Sequence, residues 1–220
     1  MDFDIEIWLQ ELTKRLFDTF NERIKFFGLQ GSYKRGEANE NSDVDLVVIF
    51  DKLNFEDLQR YRNVIQSMPF SEKACGFIAD EKQIRNWPKY DLFQLSNDTV
   101  SLYGNLEDFI PEVTKTDVEE FVKINLANLF HMLNHAFIFE NKSIDVLKSA
   151  YKAAFYILQG KYYIQNSKYI PTKQELADKI YGIEKEILLI NINWDSLETN
   201  ENKNYYYETI LTWVTANIIS

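Results

Sequence analysis

The heptapeptide "VDLVVIF", Val44–Phe50, is the stretch that most limits what this chain can become. Apart from Asp45 it is apolar and rich in β-branched residues, the composition of a strand buried on both faces. Such a strand needs neighbours in a sheet and helices over it. "RIKFFGLQG" (Arg23–Gly31) reads as one neighbour, and "KACGFIA" (Lys73–Ala79) and "TVSLYG" (Thr99–Gly104) read as two more. Ahead of them, Ile5, Trp8, Leu9, Leu12, Leu16, Phe17 and Phe20 recur at the spacing of one helical face. Residues 54–67 suit a second helix with Asn54 as its N-cap, and "PKYDLFQLSND" suits a third. "SYKRGEANENSD" reads as a polar turn.

After Pro111 the strand signals stop. "VEEFVKINLANLFHMLNHAFIF" and "DVLKSAYKAAFYILQGKYYIQ" each give a long helix, the latter with Leu147, Tyr151, Phe155, Leu158 and Tyr162 on one face. "PTKQELADKI" starts a third, with Thr172 and Glu175 at capping-box spacing. "NYYYETILTWVTANI" gives a fourth, in which the three tyrosines are expected to be one buried and two half-exposed. The fold expected is α+β: a mixed β-sheet with flanking helices over residues 1–112, then an all-α bundle over 113–220. With 45% apolar and 15% aromatic residues in 220, each half can build a core.

The formal net charge of −10 repels phosphate backbones at long range, so no nucleic-acid polymer is expected as a partner. A small cationic molecule, or a nucleotide carried with its metal, is compatible with that charge. The single cysteine, Cys75, excludes an internal disulfide and is expected to be a small buried hydrophobe. The acidic start "MDFDIEIWLQ" is unlike a signal peptide, and no apolar run is long enough to span a membrane. A cytoplasmic protein is expected.

Asp43 and Asp45 are two apart, so on an extended chain their carboxylates share one face. Two such charges about 4 Å apart repel by roughly 4 kcal/mol at an effective dielectric of about 20. A shared proton, a cation or a divalent metal relieves this, and hard oxygen ligands suit Mg²⁺. A dozen residues earlier stands Gly31-Ser32. Gly31 lets backbone approach a ligand closely and Ser32 adds a hydroxyl donor, with Lys34 and Arg35 in the same turn. A phosphate cradle beside a metal-binding pair is what nucleotidyl transfer requires. His131 and His135 lie one helical turn apart without an acid between them, and packing or a cleft lining explains them better than a metal.

"GSYKRGEANENSDVDLVV" resembles the signature of the DNA polymerase β-like nucleotidyltransferase superfamily, Gly-Ser followed after ten residues by Asp-x-Asp. Gly31, Ser32, Arg35, Gly36, Ser42, Asp43, Asp45, Leu46 and Val48 all fall in its register, nine positions within 18 residues. The likeness covers about residues 5–105, and the helical remainder resembles the C-terminal bundle of aminoglycoside nucleotidyltransferases. The resemblance implies an Mg²⁺-dependent enzyme moving an NMP, AMP by preference, from an NTP to a hydroxyl of a small, aminoglycoside-like acceptor. It implies Asp43 and Asp45 as catalytic metal ligands, Gly31 and Ser32 on the β- and γ-phosphates, and Arg35 and Ser42 in the nucleotide-binding set. Many members add a third carboxylate on a neighbouring strand. Glu72 is the candidate here, ahead of Asp80, Asp91 and Asp98. Two alternatives stay open: an antitoxin-like or regulatory protein acting on a protein partner, and a degenerate nucleotide-binding module.

Overall fold

Asp4 starts the first helix by accepting hydrogen bonds from the backbone N–H groups of Glu6 and Ile7 at 2.9 and 3.1 Å. Helix α1, Ile5–Phe20, then buries Trp8, Leu12, Leu16 and Phe20, one stripe at four-residue spacing. This is a computed structural model that describes residues 3–140, 144–197 and 201–218. It divides into two compact units, Met1–Glu112 and Val113–Ser220.

In the first unit a four-stranded mixed sheet runs in the order β3-β2-β1-β4. Its strands are β1 (Ile24–Gln30), β2 (Val44–Phe50), β3 (Ala74–Asp80) and β4 (Thr99–Tyr103). β1 pairs antiparallel with β2 and β4, and β2 pairs parallel with β3. Residues 32–35, the start of the expected polar turn, instead belong to a short helix, α2 (Gly31–Arg35). The parallel step from β2 to β3 is bridged by α3 (Phe55–Gln66), which starts with a capping box of Asn54 and Asp57. α4 (Glu81–Arg85) follows β3, and α5 (Leu92–Asp98) leads into β4.

Alternation assigns the two faces of the sheet. Ile24, Phe27 and Leu29 of β1 and Val44, Leu46, Val48 and Phe50 of β2 point into one core with Trp8, Leu12, Leu16 and Phe20. Phe26, Val47 and Ile49 are buried on the opposite face, and Asp45 is on that face too. Asp57 is 2% exposed because Arg23 grips it through both guanidinium ends, at 2.5 and 2.9 Å. That hydrogen bonding holds the Asp57 carboxyl below its usual value, against the opposite pull of burial.

The second unit is helical. Thr114 and Asp117 form the capping box of α6 (Lys115–Phe139). α7 (Ile144–Asn166) packs closely on it, for a Cβ at Gly160 would sit 2.8 Å from Val122. α8 (Lys173–Ala177) is shorter than its sequence suggests, although Thr172 caps it as expected. α9 (Gly182–Asn193) is an additional helix that the periodicity hid, and α10 (Lys203–Ile218) closes the unit. The tyrosine triplet is a correction. Tyr206 and Tyr207 are buried at 6% and 2%, and Tyr205 alone is exposed. The Tyr151 hydroxyl donates to the Tyr206 carbonyl at 2.9 Å, which fixes α10 against α7. Among the described residues no helix is long and apolar enough to cross a membrane.

Candidate active site

β1 ends at Gln30, directly opposite Asp45 on β2. The next residue, Gly31, has φ +77° and is buried. A Cβ built there would lie 2.1 Å from Oδ2 of Asp45 and 3.0 Å from its Cγ. The Asp45 carboxylate therefore rests on the bare backbone of the Gly31 turn. Glycine is required twice over, once for the left-handed φ and once for the space. Gly36, at φ +70°, ends the short helix by donating its N–H to the carbonyls of Ser32 and Tyr33. Glycine at both ends thus makes α2 a tight loop, with Ser32 half-buried in its first turn.

Asp43 immediately precedes β2 and is exposed, whereas Asp45 is half-buried. On an extended chain a two-residue spacing puts both side chains on one face. The loop before them is held by its own side chains. The Ser42 hydroxyl accepts from the Asn39 N–H at 2.9 Å, and the Asn39 side chain accepts from the Asn41 N–H at 2.9 Å. Lys73 ties this loop to the start of β3 by donating to the carbonyls of Glu40 and Ser42 at 2.6 and 3.4 Å. Ser42 thereby shapes the approach to Asp43.

Arg35 is enclosed within the fold. Its side chain is 3% exposed and it pairs with Asp98, itself 2% exposed, and with Glu37 at 2.9 Å. Lys34 joins Asp98 at 3.3 Å. Burial pushes the Asp98 carboxyl up, while Arg35 and Lys34 pull it back down. Both cations of the turn are thus directed to the end of α5, where they brace the turn against β4. No spacing rule links residues 35 and 98, so only the assembled fold reveals this pairing.

The candidates for a third carboxylate are dispersed. Asp80 caps α4, accepting from the Gln83 N–H at 2.8 Å. Asp91 accepts from the Trp87 indole at 2.7 Å. Asp98 is enclosed as described. Glu72 is exposed, and it lines a cavity shared with Leu46 and Tyr61, on the face of the sheet opposite to Asp45. The residue that register sets beside Asp45 is Cys75. It is exposed rather than buried, because β3 is an edge strand, a position the sequence could not convey. Among the described residues no group of three or more His, Cys, Asp or Glu side chains is arranged to hold a metal. His131 and His135 have ring centroids 6.1 Å apart on α6, and His135 faces Glu140 at 3.1 Å.

A family model described as a nucleotidyltransferase domain matches residues 9–125, just over half of the chain. A curated protein of Methanocaldococcus jannaschii, named provisionally as a protein adenylyltransferase, is 35% identical over 86 residues, which are 38% of this chain and 81% of that protein. Among solved structures, the spectinomycin adenyltransferase AAD(9) from Enterococcus faecialis, determined with ATP and spectinomycin, superposes with a TM-score of 0.60 at 15% identity. That alignment covers 93% of this chain and 98% of the other, so the likeness in fold extends over both units.

Proposed function

This chain belongs to the nucleotidyltransferase family, and from that premise we propose that it moves AMP from Mg²⁺-ATP to an acceptor hydroxyl. One observation carries the reading: the Asp45 carboxylate lies on the Gly31 backbone, with Asp43 two residues before it in the chain. A triphosphate drawn to the glycine turn meets the two carboxylates at once.

The donor set fits Mg²⁺. Two carboxylates offer hard oxygens, and this ion ordinarily takes the rest of its ligands from phosphate and water. Asp43 and Asp45 would hold it, and it would supply charge neutralisation to the triphosphate. Gly31 admits a phosphate where any side chain would block it, and Ser32 can donate its hydroxyl to a phosphate oxygen. The first-turn N–H groups of α2 have no intrahelical acceptors and add further donors. The acceptor oxygen attacks the α-phosphorus, the new phosphorus–oxygen bond forms, and the bond to the bridging β-oxygen breaks. Pyrophosphate leaves, and the hydroxyl proton passes to solvent water. Arg35 and Ser42 act here by holding the turn and loop in shape.

The acceptor has two readings. The relative named as a protein adenylyltransferase favours a protein hydroxyl and a regulatory role. The net charge of −10 favours a small cationic acceptor of the aminoglycoside kind. In either case we assign the second unit, Val113–Ser220, to acceptor binding or partner interaction.

The test is a thermal-shift survey of NTPs with and without Mg²⁺, followed by α-labelled ATP offered to panels of proteins and aminoglycosides. ATP should stabilise the protein only with the metal present, and label should move to one panel. Melting curves that no NTP shifts, with Mg²⁺ present, would overturn the proposal.

A further inference from the structure

We propose that β3 is a docking edge for an extended polypeptide, and that the hydroxyl adenylylated lies on that added strand. This rests on the adenylyl-transfer reading above and names its acceptor class. The sheet has two edges, and they differ. β4 carries a register shift against β1 between Phe27 and Gly28, the kind of bulge that twists an edge away from new partners. β3 pairs with β2 without interruption from Ala74 to Asp80, and its outer side has no strand partner among the described residues. Its sequence, "ACGFIAD", contains no proline, no lysine and no charge before the terminal Asp80, which caps α4. Cys75 and Gly76, in its first half, are exposed. Proline and lysine, two usual protections of an edge strand, are missing along the strand that flanks Asp45.

The two faces of this edge offer different things. On the α3 side lies a cavity of about 540 Å³, floored by Ala74, Gly76 and Ile78 and walled by Tyr61 and Ile65. Arg62 and Glu72 also line it, so it carries an apolar interior and one charge of each sign. On the other side, Cys75 stands level with Asp45. Neighbouring strands are about 4.8 Å apart, so a strand added to β3 runs roughly 10 Å from β2. Its side chains alternate. One set enters the cavity as anchors, and the next rises on the Asp45 face, where Cys75 is small and the Phe77 ring packs on Trp87. Main-chain hydrogen bonds supply affinity and the cavity supplies selectivity. The partner this fits is a β-strand segment in which the hydroxyl residue is directly flanked by apolar ones, so that an anchor and the acceptor face opposite ways. The chemistry is that given above: acceptor oxygen onto the α-phosphorus, pyrophosphate out, proton to water.

The experiment uses the full chain, Mg²⁺, α-labelled ATP and a library of random peptides of about a dozen residues, each with one Ser, Thr or Tyr. The preferred peptides should have apolar residues on both sides of the labelled hydroxyl. N-methylation of alternate amides on the docking edge of those peptides should cut labelling at least about tenfold, since strand addition depends on those N–H groups. Gln66→Trp, which fills the cavity from the exposed end of α3, should do the same while leaving the Mg²⁺-ATP thermal shift unchanged. Arg62→Glu, exposed on the same helix, is the second variant should the first not fold. Labelling insensitive to N-methylation and to the cavity variants overturns the proposal. So does labelling of aminoglycosides with no peptide labelled. Both of those results leave the nucleotide site standing, whereas loss of the Mg²⁺-ATP shift in the unmodified protein overturns the reading on which the proposal rests.

Discussion

Two kinds of carboxylate stand in the first unit, and their surroundings are opposite. Asp57 and Asp98 are each 2% exposed and gripped by arginines, Arg23 and Arg35 respectively. Asp43 and Asp45, at the mouth of β2, are exposed and half-buried respectively. For the first kind, the chain supplies the counter-charge and the outcome is architecture. For the second, the like charges are kept at a surface where an outside cation can reach them. Desolvation explains the division, because a buried charge is tolerated only with its partner in place. An acid meant for a ligand must keep contact with solvent.

The largest effect should come from breaking an enclosed pair. Arg35→Met leaves buried Asp98 with Lys34 alone and should cost about 3–5 kcal/mol in denaturant unfolding, and pairing it with Asp98→Leu should recover most of that loss. If the single and double variants are equally unstable, Arg35 does more than neutralise Asp98. Next are the open acids. Asp45→Asn or Asp43→Asn should lower turnover about 10²–10³-fold, by the scale of a lost electrostatic contact in a transition state. Their melting temperatures should hold or rise slightly, because a like-charge repulsion goes. Full activity in both variants would erase the distinction between the two kinds of carboxylate.

Asp57→Asn is expected to be milder, about 2–3 kcal/mol, since it loses hydrogen bonds to a partly exposed arginine. It also has a pH signature. Arg23 holds the native carboxyl below its usual value, so below about pH 4 the unfolded chain binds the proton more readily. The stability contributed by this pair is complete at neutral pH and is lost as the pH falls through the native pKa. Melting temperature against pH should therefore show a shallower acid limb in Asp57→Asn than in the parent. The smallest change, Gly31→Ala, joins the two groups. It strains a left-handed residue and drives a methyl into Asp45, so about 1–2 kcal/mol of stability should go. The informative readout is activity, which should fall further than that strain alone explains if Asp45 is displaced.

Much of this was legible in the chain. The β-branched run located β2 and the short apolar run closing on glycine located β1, because a buried strand selects side chains that fit a pleated surface. The Asn54 and Thr172 caps could be read because capping is a local hydrogen bond. The glycine, serine and paired aspartates were legible as a motif, being strung within 15 residues from Gly31 to Asp45. Less legible was α2, whose five residues are too few to show a period. α9 was hidden because its apolar residues are spread around the helix.

By itself, then, the sequence determined where the strands and the longer amphipathic helices form, where several of them are capped, and which residues crowd into the glycine turn and the start of β2. These are matters of propensity, period and short-range contact. The tertiary structure alone decided that β3 lies at an edge and exposes Cys75, that Cys75 instead of an acid stands beside Asp45, and that Arg35 serves Asp98 across 63 positions of chain. Strand order and long-range pairing depend on which surfaces exclude water together, and no local rule along a chain encodes that.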